Sequence, residues 1–137
     1  MLPLHRVVYV SRAVGPADSL LSIAEILAEA DRNNRRDNLT GVLLGHEGRF
    51  LQVLEGTRAS LDRLLRELRA DPRHTEVTML ADTPIETREF ACWGMAHLRI
   101  TPALAPRLAG VSLDAVSADQ AIELLRAASD EIGAAAA

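Results

Sequence analysis

A short apolar run at residues 48–56, bounded by glycines, constrains the fold of this 137-residue chain more than any other feature. Its centre reads Phe-Leu-Gln-Val-Leu, which is typical of a strand buried on both faces. Because side chains alternate along a strand, Gln52 shares a face with Phe50 and Leu54. A buried amide without hydrogen-bond partners costs about 1–3 kcal/mol. The run therefore predicts a polar group opposite Gln52, either a neighbouring main chain or a polar ligand inside the core.

Composition and charge argue against several classes of function. Apolar residues at 48% and charged residues at 25% are ordinary for a globular domain, and a net charge of −4 does not favour nucleic-acid binding. All 15 basic residues are arginine, which excludes a Schiff-base lysine and a phosphate-binding P-loop. The single cysteine and the spacing of the four histidines do not suggest a metal site. With no signal-peptide pattern and no apolar run of about 20 residues, we expect a cytoplasmic protein that contacts neither membrane nor nucleic acid.

The hydrophobic periodicity predicts alternating strands and helices. Strands are expected at residues 6–12, 39–44, around Gln52, 76–81 and up to about residue 100, and helices at 20–33 and 57–70. The short connection before the Gln52 strand predicts a hairpin with the strand that precedes it. The order β-α-β-β-α-β, with room for one extra strand, predicts an α+β fold with a ferredoxin-like sheet and two helices on one face.

The residues after position 100 are expected to form a separate part of the chain. The proline-containing stretch 101–106 reads as a linker, and Ser117 with Gln120 has the capping-box pattern that starts a helix. The apolar stripe of this last helix needs a surface to cover, either the open face of the sheet or a second subunit. We therefore expect a sensor domain at residues 1–100, followed by a linker and C-terminal helical extension at 101–137.

Several polar positions and motifs make the chain resemble the BLUF domain, a family of flavin-based blue-light sensors of bacteria. The matching segments lie at residues 8–11, 33–34 with 39–41, 50–56, 71–74 and 88–95. They follow the family's order and cover about residues 5 to 99. Five segments in register carry the resemblance, whereas the 50–56 segment alone would only be suggestive.

The resemblance implies that FMN or FAD is bound between the two helices beneath the sheet. Gln52 would lie between Tyr9 and the flavin, Asn34 with Asn33 beside it would bond the carbonyl edge of the ring, and Ile26 would pack on the ring. The ribityl and phosphate end would lie near Asp71, Arg73 and His74. The expected photoactive residues are Tyr9, Gln52, Trp93 and Met95.

The resemblance also implies light-driven hydrogen-bond switching and no substrate turnover, so we expect a sensor and not an enzyme. Tyr9 would give up an electron and then a proton, and Gln52 would rotate or tautomerise, which shifts the flavin absorption slightly to the red. The signal would pass through the last strand and the C-terminal helix. Since the chain stops at residue 137, we expect a non-covalent receiver, either an unidentified protein or a second copy in a homodimer or higher homo-oligomer.

Two other classes of function stay open at this point. Composition and periodicity alone fit a ferredoxin-like ligand-binding or scaffold module without photochemistry equally well. The pairing of Tyr9 with Gln52 separates the two, because a scaffold has no need of it. A redox enzyme that uses flavin is the third hypothesis, although the sequence shows no acid–base pair for a substrate.

Overall fold

Five strands form one sheet in the computed structural model, which describes residues 3–13, 20–71, 74–90, 96–98 and 101–136. The strands are β1 (Leu4–Ala13), β2 (Thr40–His46), β3 (Arg49–Thr57), β4 (His74–Ile85) and β5 (Ala96–Leu98). Their spatial order is β4-β1-β3-β2-β5. The first four pair antiparallel, whereas β5 runs parallel to β2. The short β5 is the extra strand for which the sequence left room.

The helices alternate with the strands as expected. They are α1 (Leu20–Arg36), α2 (Arg58–Ala70), α3 (Ala105–Leu108) and α4 (Ala118–Ala136). Elements β1 to β4 therefore follow the order β-α-β-β-α-β, and α3 with α4 forms the C-terminal helical extension. The predicted α+β, ferredoxin-like fold is confirmed. Among the described residues, no helix combines the length and the apolar character that crossing a bilayer requires.

The predicted hairpin joins β2 to β3 through a two-residue turn. Glu47 and Gly48 have φ angles of 50° and 75°, and the flanking residues His46 and Arg49 face each other across the ladder. Positive φ at both central residues is the signature of the type I′ turn, whose twist matches that of the strands. This turn sets the register of β3, and with it the face on which Gln52 lies.

Helices α1 and α2 cover the face of the sheet that carries Gln52. Val7 and Tyr9 of β1 pack there with Leu54 of β3 against Leu61 and Leu65 of α2. Helix α1 adds Leu27 and Ala30 to the same cluster. The prediction of two helices on one face is therefore confirmed.

The C-terminal extension covers the opposite face of the sheet. Val8, Leu51 and Val53 point to that side and are buried with Leu108 of α3 and Leu125 of α4. The sequence allowed two surfaces for the last helix to cover, the open sheet face or a second subunit. In the structure the helix covers the sheet face. Its burial explains how a long apolar stripe is removed from water without a partner.

The start of α4 and the segment before it are both well packed. The Gln120 side chain accepts from the main-chain nitrogen of Ser117 at 2.9 Å, and the Ser117 hydroxyl accepts from the nitrogen of Gln120 at 3.1 Å. This confirms the capping box. The stretch 101–106, which the sequence suggests is a linker, leads into α3 and buries Leu104 in the core of this face.

Candidate functional site

Tyr9 and Gln52 form a buried polar pair at the centre of the sheet. The antiparallel register of β1 and β3 places the two residues directly opposite each other. The Tyr9 hydroxyl donates to the Gln52 side-chain oxygen at 2.8 Å, and the two residues are only 1% and 4% exposed. The polar group opposite the Gln52 side-chain oxygen is therefore the hydroxyl of Tyr9.

The amide nitrogen of Gln52 is the second polar end of this pair. Within the described part of the chain, the Gln52 side chain has one hydrogen-bond partner, the Tyr9 hydroxyl, and it is bound by the oxygen. The surrounding side chains on this face are apolar and include Leu43, Phe50 and Leu54. The amide N–H₂ end of Gln52 carries two donors, which can bind an acceptor on this face. The pair can therefore bind one further polar group on this face.

Burial fixes the protonation state of Tyr9. Desolvation raises the pKa of the Tyr9 hydroxyl well above its ordinary value, because a phenolate inside an apolar cluster loses its hydration. Tyr9 is therefore a neutral hydroxyl at physiological pH. Its proton lies in a defined hydrogen bond to Gln52, from which it can be transferred.

The two asparagines predicted to contact a ligand lie in the last turns of α1. Their main-chain oxygens accept from the nitrogens of Asp37 and Leu39, which closes the helix. Asn34 is 1% exposed, whereas Asn33 is half-buried. Because α1 packs over the face that carries Tyr9, its C-terminal turn brings a buried amide to the same side of the sheet.

The remaining predicted site residues are only partly described. Asp71 follows α2 as its C-cap and donates its main-chain N–H to the oxygen of Leu68 at 3.1 Å. Ile26 lies within α1 and His74 begins β4, but their side chains are outside the described residues. Arg73, Trp93 and Met95 lie outside the described residues altogether.

The chemistry of this face fits a flavin ring. Such a ring has two apolar faces and an edge of carbonyl oxygens and nitrogens, and it needs apolar walls with a few amides at one edge. The face between the sheet and helices α1 and α2 supplies leucine and valine walls together with the buried amides of Asn34 and Gln52. The residues therefore suit the group that the resemblance implies.

One notable residue was missed by the sequence analysis. Glu55 is fully buried on β3, where it pairs with Arg6 of β1. The sequence did contain an indication of this residue's role. A carboxylate inside a glycine-bounded apolar run must be paired if the run forms a buried strand. Its partners could not be named from the sequence, since they come from distant parts of the chain.

The chain is similar to known proteins over much of its length. Residues 4–96 match the family model described as "BLUF: Sensors of blue-light using FAD". A photoactivated adenylate cyclase subunit beta of Euglena gracilis is 37% identical over 87 residues, which is 64% of this chain and 10% of that protein. The chain thus spans about a tenth of the length of the curated relatives it matches.

Solved structures extend the similarity over more of the chain. The dark-state structure of BlrB, a BLUF protein, has a TM-score of 0.78 and 33% identity, over 93% of this chain and 96% of that one. Klebsiella pneumoniae BlrP1 with FMN and cyclic diGMP has a TM-score of 0.63 and 29% identity, over 90% of this chain and 30% of that one. The range matched by the family model, residues 4–96, contains Tyr9, Asn34 and Gln52.

Proposed function

This chain belongs to the BLUF family of flavin-binding blue-light photoreceptors, and we propose that Tyr9 and Gln52 form its light-operated switch. The observation that carries the proposal is the buried 2.8 Å hydrogen bond between the two side chains. Neither a strand nor a core needs such a pair, because two apolar residues of similar size would pack there without desolvating polar groups.

The flavin, FAD or FMN, is proposed to lie on the face of the sheet covered by α1 and α2. Asn34 and Gln52 would bond its polar edge, Asn33 would lie beside them, and Ile26 would pack on the ring. The ribityl and phosphate end is assigned to Asp71, Arg73 and His74, since a guanidinium is a natural partner of phosphate. Bound flavin supplies a strong oxidant when it is excited by blue light.

Tyr9 is the residue placed to give up an electron and then its hydroxyl proton. Its neutral state, enforced by burial, keeps that proton available in the dark. Gln52 would exchange its hydrogen bonds by rotation or tautomerisation while the electron and the proton return to Tyr9. The two ends of an amide differ in donor and acceptor character but scarcely in shape. The exchange therefore needs no repacking of the leucines around Gln52, and it would appear as a small red shift of the absorption band.

The signal is proposed to leave through the last strand and the C-terminal helix. Strand β5 pairs with β2, the neighbour of β3, and α4 packs on the opposite face of the same sheet. Trp93 and Met95, which precede β5 in the sequence, are proposed to respond to Gln52. Residues 1–100 would be the sensor domain and residues 101–137 the extension that transmits its state.

We propose that a protein partner receives the light signal and that the chain itself catalyses no reaction. The support comes from relatives that are named as adenylate cyclase subunits and match this chain over about a tenth of their length. A second copy of the chain, in a homodimer or a higher homo-oligomer, is the alternative receiver. We propose a cytoplasmic location, as expected from the sequence.

The test is a visible absorption spectrum of the purified protein, recorded in the dark and then under blue light. A flavin band that shifts slightly to the red and recovers in darkness is the expected result. A band that only bleaches would favour a flavin redox enzyme. If neither FMN nor FAD binds after reconstitution, the protein is a ferredoxin-like scaffold instead.

A further inference from the structure

A buried ion pair lies on the opposite side of the sheet from the Tyr9–Gln52 pair. Arg6 faces Glu55 across the same β1–β3 ladder, three residues along from the position where Tyr9 faces Gln52. The Glu55 carboxylate is fully buried and the Arg6 side chain is 15% exposed. If β1 moves against β3 at the Tyr9–Gln52 pair, the distance between Arg6 and Glu55 therefore changes as well.

Glu55 holds a loop onto β3 in addition to its ion pair. One carboxylate oxygen accepts from the main-chain nitrogens of Glu89 and Phe90 at 2.9 and 2.7 Å, and the other accepts from the Arg6 guanidinium at 2.9 Å. A carboxylate with fixed donors on both oxygens has no freedom to turn. The main chain at position 89 must therefore follow any movement of the Glu55 side chain.

The side chain of Glu89 continues this chain of contacts to the C-terminal helix. Its carboxylate accepts from Arg126 of α4 at 2.6 and 3.0 Å, and from the same Arg6 guanidinium at 3.2 Å. The hydrogen bond from Arg126 holds the pKa of the Glu89 carboxyl below its usual range. Within the described part of the chain, this is the one ion pair that joins α4 to a residue outside the helix.

The directional character of these contacts distinguishes them from the rest of the α4 interface. Helix α4 otherwise meets the sheet through apolar side chains such as Leu125 and Ala128. Apolar burial depends on area and not on direction, so such a surface tolerates small slides. A two-point hydrogen bond between a guanidinium and a carboxylate fixes both distance and orientation. Its half-exposed position also makes it a weak contributor to stability.

We infer that Glu89 is a positioning residue that couples the β1–β3 ladder to helix α4, through Arg6 and Glu55 on one side and Arg126 on the other. The inference rests on the proposed function and adds a route for its output. When Gln52 exchanges its hydrogen bonds, the bond that joins it to Tyr9 across the β1–β3 ladder changes, and β3 shifts relative to β1 while the side chains around Gln52 keep their packing. Glu55 and Arg6 carry that shift to Glu89, and Arg126 moves the helix with it.

The test compares Arg126→Gln with a matched control. Arg126→Gln keeps a polar side chain that is shorter and uncharged, so it loses the two-point contact with Glu89. Arg49→Gln breaks another surface ion pair, in which the Arg49 Nε of β3 donates to both carboxylate oxygens of Asp114 in the C-terminal extension, and this pair lies off the proposed route. For each flavin-loaded protein, the absorption shift is measured together with amide hydrogen exchange of residues 121–128, in the dark and under blue light.

The wild type and Arg49→Gln should both show the red shift and a light-dependent change of exchange in α4. Arg126→Gln should keep the full red shift and lose the light-dependent change, and Arg126→Lys should restore part of it. An unaltered light-dependent change in Arg126→Gln would overturn the inference, as would a wild type that shifts its absorption without any change in α4. A wild type with no red shift would refute the proposed function itself, and the coupling role with it.

Discussion

Replacing Glu55 by glutamine should destabilise the protein although it changes only one polar atom. The substituted amide can still accept from the nitrogens of Glu89 and Phe90 with its oxygen. Its N–H₂ group then faces the Arg6 guanidinium, a donor against a donor. A hydrogen bond to a charged group contributes about 1.5–3 kcal/mol, and breaking a fully buried ion pair costs about 3–5 kcal/mol. Because Arg6 keeps Glu89 as a second partner and is 15% exposed, the expected loss is about 2–3 kcal/mol.

Urea unfolding followed by circular dichroism measures this loss. With a slope of about 2 kcal/mol per M, the midpoint should fall by about 1 M. The flavin concentration is held constant, because a bound ligand adds to the apparent stability. Arg49→Gln, which breaks an exposed pair, should leave the midpoint unchanged within error. A Glu55→Gln midpoint equal to that of the wild type would refute the reasoning, since the buried carboxylate would then contribute nothing that an amide does not.

Three further results are expected. Tyr9→Phe should bind flavin but lose the red shift, because it removes the donor bonded to Gln52; a shift of normal size would contradict this. Gly41→Ala should destabilise the protein by about 3 kcal/mol, because its methyl group would overlap the main-chain oxygen of Val53. Gly45→Ala, where the added methyl group meets only ordinary contacts, is the control and should be tolerated. Equal unfolding midpoints of the two variants would contradict this prediction. Above about pH 10 the unfolded state loses a tyrosine proton that the folded state keeps, so stability should fall by up to about 1.4 kcal/mol per pH unit. Because Tyr9 is the sole tyrosine, the unfolding free energy of Tyr9→Phe, measured against pH, should lack this fall.

Local patterns in the sequence were sufficient for most of the sheet. Strand alternation correctly placed Gln52 on the face shared with Phe50 and Leu54, and the short connection before Arg49 correctly predicted the hairpin. The capping box at Ser117 formed as expected. Each of these depends on residues close together in the chain, where one alternation or one turn decides the structure.

The features of the fold that the sequence did not predict depend on long-range contacts. Strand β4 extends through Pro84, although proline cannot donate to a ladder, because β4 lies at the edge of the sheet. The contacts of Glu55 and Glu89 join residues 34 to 83 positions apart, and no local pattern specifies them. The choice between the sheet and a second subunit as the surface under α4 also depended on tertiary packing alone.

Within the site, the sequence predicted residue types better than contacts. The side-chain partner of Gln52 could be named only through the resemblance, and the structure shows it as a cross-strand pair with Tyr9. The burial of Asn34 follows from how α1 closes and packs, which depends on the sheet beneath it. The roles assigned to Ile26, Arg73 and the other ligand-end residues stay predictions.

The measurement that tests the central claim most directly is the light-minus-dark absorption spectrum of Gln52→Leu beside that of the wild type. Leucine has a similar size, so the apolar cluster and flavin binding should persist, while the hydrogen bond to Tyr9 is removed. The wild type should show a red shift that recovers in darkness, and Gln52→Leu should show a bound flavin with no shift. A red shift of wild-type size in Gln52→Leu would contradict the assignment of Gln52 as the switch.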